Sequence, residues 1–107
     1  MEALIVYITA PHEEEAARIA RTLVEERLAG CVNIVKDIRS IYSWQGKIED
    51  EKEVLLIVKT RPQLFQAVSA RVQELHSYSV PEVIAMPVVC GSEEYLKWLN
   101  ETTAQGK

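Results

Sequence analysis

Two histidines, His12 and His76, two cysteines, Cys31 and Cys90, and an acidic run from Glu49 to Glu53 are the side chains best suited to chemistry here, with Tyr78 and Glu82 shortly after His76. Imidazole together with carboxylate is a workable ligand set for Cu(II), Zn or Ni. His12 stands where a helix N-cap belongs, so capping competes with ligation there. For His76 the alternative is a helix C-terminal imidazole that satisfies the last carbonyls, and for Glu82, after Pro81, a cap on a strand entrance. Both cysteines have apolar neighbours, the setting of small buried thiols in which thiolate formation is suppressed. They are too far apart for a disulfide within one chain, although a subunit boundary could bring them together. Trp44 and Lys47 flank Gln45-Gly46, with Tyr42 just before, and suit either a ligand lid or an anchor on a neighbouring subunit. The sequence contains no Gly-x-Ser-x-Gly elbow, glycine-rich phosphate loop, His-Glu-x-x-His helix or Cys-x-x-Cys pair. Binding is therefore expected, and catalysis is not.

The elements that must position these groups can be read from periodicity. Leu4 to Ile8 forms a β-rich run, bounded by Thr9-Ala10-Pro11. Glu13, Glu14 and Glu15 crowd the first turn of a helix whose apolar residues Ala16, Ile19, Ala20, Leu23, Val24 and Leu28 recur at helical spacing until Gly30. A second strand starts at Cys31 and resumes through Ile38, Ile41 and Tyr42, with Lys36-Asp37 as a bulge or kink. After the turn Trp44-Gln45-Gly46-Lys47 and the charged stretch Glu49 to Glu53, the run Val54 to Val58 is a third strand, antiparallel to the second. Pro62 opens a second helix with a stripe of Leu64, Val68, Val72 and Leu75, ending near His76. Val83 to Val89 is the fourth strand. A short helix from Glu93 to Asn100 follows, with Tyr95, Leu96 and Leu99 facing inward.

The order β-α-β-β-α-β plus a terminal helix predicts a ferredoxin-like α+β fold, an antiparallel sheet in the order 4-1-3-2 with both main helices on one face. The first, third and fourth strands are apolar at almost every position, so the other face must be buried too. One domain over residues 1–107 has no third layer to cover it. A second copy of the chain is the economical cover, and the terminal helix is the alternative. In this topology His12, the acidic run, His76, Tyr78 and Glu82 share one end of the sheet.

Composition bounds the rest. The net charge of -4, with twelve basic residues interspersed among sixteen acidic ones, argues against nucleic acid as a partner. No stretch is long enough to span a membrane, and the N-terminal residues lack the basic region of a signal peptide, so a cytoplasmic protein is expected.

Thr9-Ala10-Pro11, Leu28 to Ile34, Ser40-Ile41-Tyr42, Trp44 to Glu49, Glu53 to Thr60, His76 with Tyr78, Val80-Pro81-Glu82, and Tyr95 to Leu99 together resemble the CutA family of divalent-cation tolerance proteins over about residues 4 to 100. The resemblance implies a ferredoxin-like homotrimer, similar in build to PII signalling proteins, whose long hairpins reach onto neighbouring subunits. It also implies a link to tolerance of copper and other divalent cations. Members with proposed copper ligands carry Cys at the position of Ile8 and a His pair at Leu75 and His76, of which only His76 is present. The chain departs from the family pattern further at Lys36-Asp37, Ser43, Gln45, Ser77 and Gly91-Ser92. A modest Cu(II) or other divalent-cation site at His76 and Glu82 is the resulting expectation, with a PII-like trimer that binds a small ligand or an unidentified protein as the alternative.

Overall fold

In the computed structural model, which describes residues 2–104, the central strand is β1 (Leu4–Ala10), and its alternate residues Val6, Ile8 and Ala10 are fully buried against the helices. Helix α1 (Glu13–Glu25) follows, capped by the His12 side chain, which accepts a hydrogen bond from the Glu15 N–H. It stops earlier than Gly30. Arg27 takes a left-handed conformation (φ 61°) and the Leu28 N–H returns to the Leu23 carbonyl, which closes the helix end. An arginine occupies a position that usually favours glycine, and its guanidinium donates to the carbonyls of Glu101, Thr102 and Thr103, fastening the end of the last helix.

Strands β2 (Cys31–Trp44) and β3 (Lys47–Thr60) form one long hairpin. The expected irregularity is a break in register between Val35 and Ile38, with Asp37 at φ 60°. Gln45 and Gly46 both have positive φ (51° and 79°), the requirement of the two-residue turn whose twist matches the flanking strands. The ladder runs unbroken from this turn through Glu49 to Glu53, so the acidic run belongs to β3, which begins at Lys47 and not at Val54. Charged residues persist there because the distal hairpin stands in solvent and pairs across strands: Arg39 grips Asp50 through two bonds of 2.8 and 2.7 Å.

A short 3-10 turn (Pro62–Leu64) leads into α2 (Phe65–Leu75), then come β4 (Val83–Pro87) and α3 (Glu93–Thr102). Strand β4 ends at Pro87, before the apolar run does. The sheet has the order β2-β3-β1-β4, all pairs antiparallel. Buried Ile19, Leu23, Val68 and Val72 of the two main helices pack on Val6, Ile8, Leu56 and Val58 of the sheet, so both helices lie on one face. On the other face Ile84 and Met86 of β4 are exposed, and Tyr7 and Ile57, which lie in register with Ile84, are half-buried. Helix α3 docks at the edge of this layer, with Leu99 buried and pressed against Gly30, where a Cβ would come within 2.5 Å of Leu99 Cδ1. Tyr95 is exposed, not inward, and stacks at a tilt on Trp98. No helix among the described residues is long and apolar enough to cross a membrane.

Candidate functional site

The strand ends around Ala10, Val54 and Val83 lie together, so the acidic run and the loop after α2 do meet at one end of the sheet. Between that loop and the hairpin lies a groove of about 780 Å³. Glu49, Glu51 and Glu53 of β3 face Tyr78 and Glu82 of the loop across it, with Tyr42 and Trp44 of β2 on the hairpin side. Alternation along β3 explains why these three carboxylates, two residues apart, share one side.

The groove is crowded with negative charge. Tyr78 donates its hydroxyl to Glu53 (2.7 Å) and Tyr42 donates to Glu51 (2.7 Å). The bond to Glu51, with burial and the neighbouring carboxylates behind it, pushes the Tyr42 hydroxyl up to about 12. Burial first, then the bond to Glu53, raises that of Tyr78 well above the usual phenol value. The Glu82 carboxyl is also raised, by burial and then by the charge of Glu53. A cation entering the groove would relieve that repulsion. Among the described residues, however, no three His, Cys, Asp or Glu side chains converge into a metal centre.

His76 lies elsewhere, behind the groove wall. Its side chain is fully buried. Nε2 is 2.7 Å from the Thr9 carbonyl and Nδ1 accepts the Tyr78 N–H at 3.0 Å, which together place the proton of the neutral ring on Nε2. In this arrangement the Nδ1 lone pair is engaged by the Tyr78 N–H and Nε2–H by the Thr9 carbonyl, so the imidazole ties the end of α2 to β1. Its position in sequence, just past the last apolar residue of α2, placed it correctly at the helix end but could not show which partner it would meet. His12, the N-cap, points to solvent with Nε2 4.0 Å from Glu15. Lys47 pairs with Trp44 across the hairpin turn and stays outside the groove.

Glu15 is the residue that sequence reading missed. It was one of three glutamates in a first helical turn, yet its carboxylate is buried and accepts the backbone N–H (2.8 Å) and hydroxyl (3.0 Å) of Ser77. Burial alone would raise its carboxyl; the two Ser77 bonds, aided by His76 and His12, outweigh that and hold it below the usual range. The signal was its spacing, four residues before Ile19 and eight before Leu23, on the buried stripe of α1. The thiols also differ from expectation, since Cys31 is half-buried and Cys90 exposed. Cys31 starts the edge strand β2 and Cys90 follows the other edge strand, β4, so neither lies inside the sheet–helix layer.

The sequence profile described as CutA1 divalent ion tolerance protein matches residues 4–102. The chain is 52% identical over 99 residues to the divalent-cation tolerance protein CutA of Thermus thermophilus, covering 92% of this chain and 96% of that one. It is 46% identical to the Arabidopsis thaliana protein CutA, chloroplastic, over 94% of this chain and 56% of that protein. The crystal structure of CutA1 from Oryza sativa superposes with a TM-score of 0.96 at 43% identity, over 99% of this chain and 97% of that one.

Proposed function

The chain belongs to the CutA1 divalent ion tolerance family, and from that premise we propose that it serves divalent-cation tolerance as a binding protein and not an enzyme, assembling as a homotrimer that takes up cations, copper among them, weakly in the acidic groove. The observation that carries this reading is the gathering of Glu49, Glu51, Glu53 and Glu82 along one groove, because a cation is the species whose binding such a set of carboxylates favours. Weak binding follows from the scatter of the ligands: carboxylates suit divalent cations, but with no three converging in one subunit the coordination must be completed by water or by a neighbouring copy. The homotrimer is supported by the exposed apolar residues of the outer sheet face and of the hairpin, which need a cover.

A PII-like small-ligand protein is the second reading. The groove volume falls in the range of small-molecule sites and Trp44 offers a stacking surface. Its carboxylates disfavour an anionic ligand, which turns this reading toward a cationic one.

Calorimetric titration with Cu(II) tests the first reading. Native protein is expected to bind modestly, Glu82→Gln several-fold more weakly, and His76→Gln as the native protein does, provided each stays assembled. Because the Glu82 carboxyl is raised, binding weakens as pH falls into that raised range, where the proton replaces the cation. Unchanged affinity in Glu82→Gln would remove the groove as the cation site.

A further inference from the structure

We propose that the acidic groove takes a linear polyamine, an alkyl chain bearing two or more ammonium groups, laid along β3 with its charges against Glu49, Glu51 and Glu53. The proposal rests on the reading of the groove as a cation site and names a different kind of cation. A metal ion draws its oxygen donors to one point, at about 2.0–2.6 Å. These carboxylates do not meet at a point. They stand on every second residue of one strand, roughly 6–7 Å apart along it, and no metal-holding cluster of His, Cys, Asp and Glu forms among the described residues. In a polyamine, three or four methylenes set neighbouring nitrogens roughly 5–6 Å apart, from bond lengths of about 1.5 Å. Such a chain meets a row of carboxylates one after another.

Glu53 points most directly to a positively charged ligand. It is 5% exposed, and its carboxylate accepts one hydrogen bond, at Oε2 from the Tyr78 hydroxyl (2.7 Å). Among the described residues no lysine, arginine or histidine pairs with it, and Oε1 is left open on the groove that the residue lines. A carboxylate so far withdrawn from water is costly without a counter-charge. Arg39, which also lines the groove, does not supply one, because Asp50 holds its guanidinium through two bonds. The neighbouring strand suits the rest of the ligand. Cross-strand pairing sets Tyr42 beside Glu49 and Ser40 beside Glu51, so Trp44, Tyr42 and Ser40 of β2 share one side of the hairpin with the glutamates. Tyr42 reaches diagonally to donate to Oε1 of Glu51 (2.7 Å), which fixes that carboxylate and leaves its other oxygen for a ligand. Aromatic faces attract ammonium groups within about 6 Å and pack against methylenes. A hydrated metal ion gains neither contact. The volume of about 780 Å³ lies in the range of small-ligand sites.

The test is calorimetric titration of the assembled native protein, at about 0.15 M salt, with spermidine, putrescine and butylamine, which carry three, two and one ammonium groups. Affinity is expected to rise with each added charge. Glu51→Gln is expected to weaken spermidine several-fold, while Glu93→Gln, on the exposed start of α3, leaves it unchanged. Equal affinity for the three amines, or an equal loss in the two variants, would mean attraction to general surface acidity and overturns the proposal, as does a failure of spermidine to bind. Cu(II) titrated alongside separates the two readings. Cu(II) that binds and responds to Glu82→Gln while spermidine does not bind sinks the polyamine alone, whereas binding of neither removes the groove as a cation site.

Discussion

Glu15 is a buried carboxylate with no lysine or arginine partner among the described residues, held ionised by Ser77 and the neighbouring imidazoles. Its folded-state value lies below the ordinary one, so it stabilises the fold above the usual carboxylate range, and that contribution is lost as pH falls through the lowered value. Glu15→Gln keeps the shape but weakens two charge-assisted bonds, with an expected loss of about 1–3 kcal/mol near neutral pH. Urea unfolding at matched protein concentration, repeated at about pH 7 and about pH 3, should show the gap between native and variant narrowing in acid. A constant gap would mean that packing, not charge, makes the difference. The buried Arg61 is a second case of the same kind, satisfied by the Thr103 hydroxyl (2.7 Å) and the Ala104 carbonyl, so that Arg61 of the β3–α2 connection holds the end of α3 together with Arg27.

Element existence and order were legible in the sequence because each element has its own period, two for the strands and 3.6 for the helices, and both helical stripes face the sheet apart from Val24, which is exposed. The length of the hairpin was not. Glu49 to Glu53 reads as a charged linker because nothing apolar alternates there, whereas backbone pairing with β2 is indifferent to side-chain polarity along a strand that no apolar layer covers. The stop of α1 was misread for a related reason: glycine is the usual signal, and here Arg27 bears the left-handed strain because its side chain is tied to α3. Gly30 is needed for closeness. Gly30→Ala would place a methyl group 2.5 Å from Leu99, and an overpacking cost of about 1–3 kcal/mol is expected. Thermal unfolding of Gly30→Ala beside the double variant Gly30→Ala, Leu99→Ala checks this, since removing the Leu99 δ-carbon abolishes the clash and makes the two changes non-additive. The candidate site was legible only as a neighbourhood: topology brought Tyr78, Glu82 and the acidic run together, while the direction of each side chain, on which the role of His76 turns, is set by long-range contacts that no local pattern encodes.

At the scale of the molecule, the dimensions of 43 × 26 × 22 Å record a body from which one hairpin projects. Ile41 and Ile48 on that hairpin, and Ile84 and Met86 on the sheet, remain exposed, the apolar surface that the proposed assembly would cover. Sedimentation equilibrium at micromolar concentration is expected to return three times the 12.1 kDa chain mass. Trp44→Ala should weaken the assembly by about 2 kcal/mol or more if that ring is an anchor, and a monomer in the native protein would refute the trimer. The strand order β2-β3-β1-β4 has one more consequence, in time. Strand β1 precedes its partners in the chain yet lies between the two latest strands: it pairs with residues 54–60 on one side and 83–87 on the other. During synthesis the β2–β3 hairpin can zip from its own turn, while the apolar Leu4 to Ala10 waits with both edges open until β3 emerges and with one edge still open until β4 does. The interval in which this protein most needs a chaperone is therefore set by how long the last strand takes to arrive.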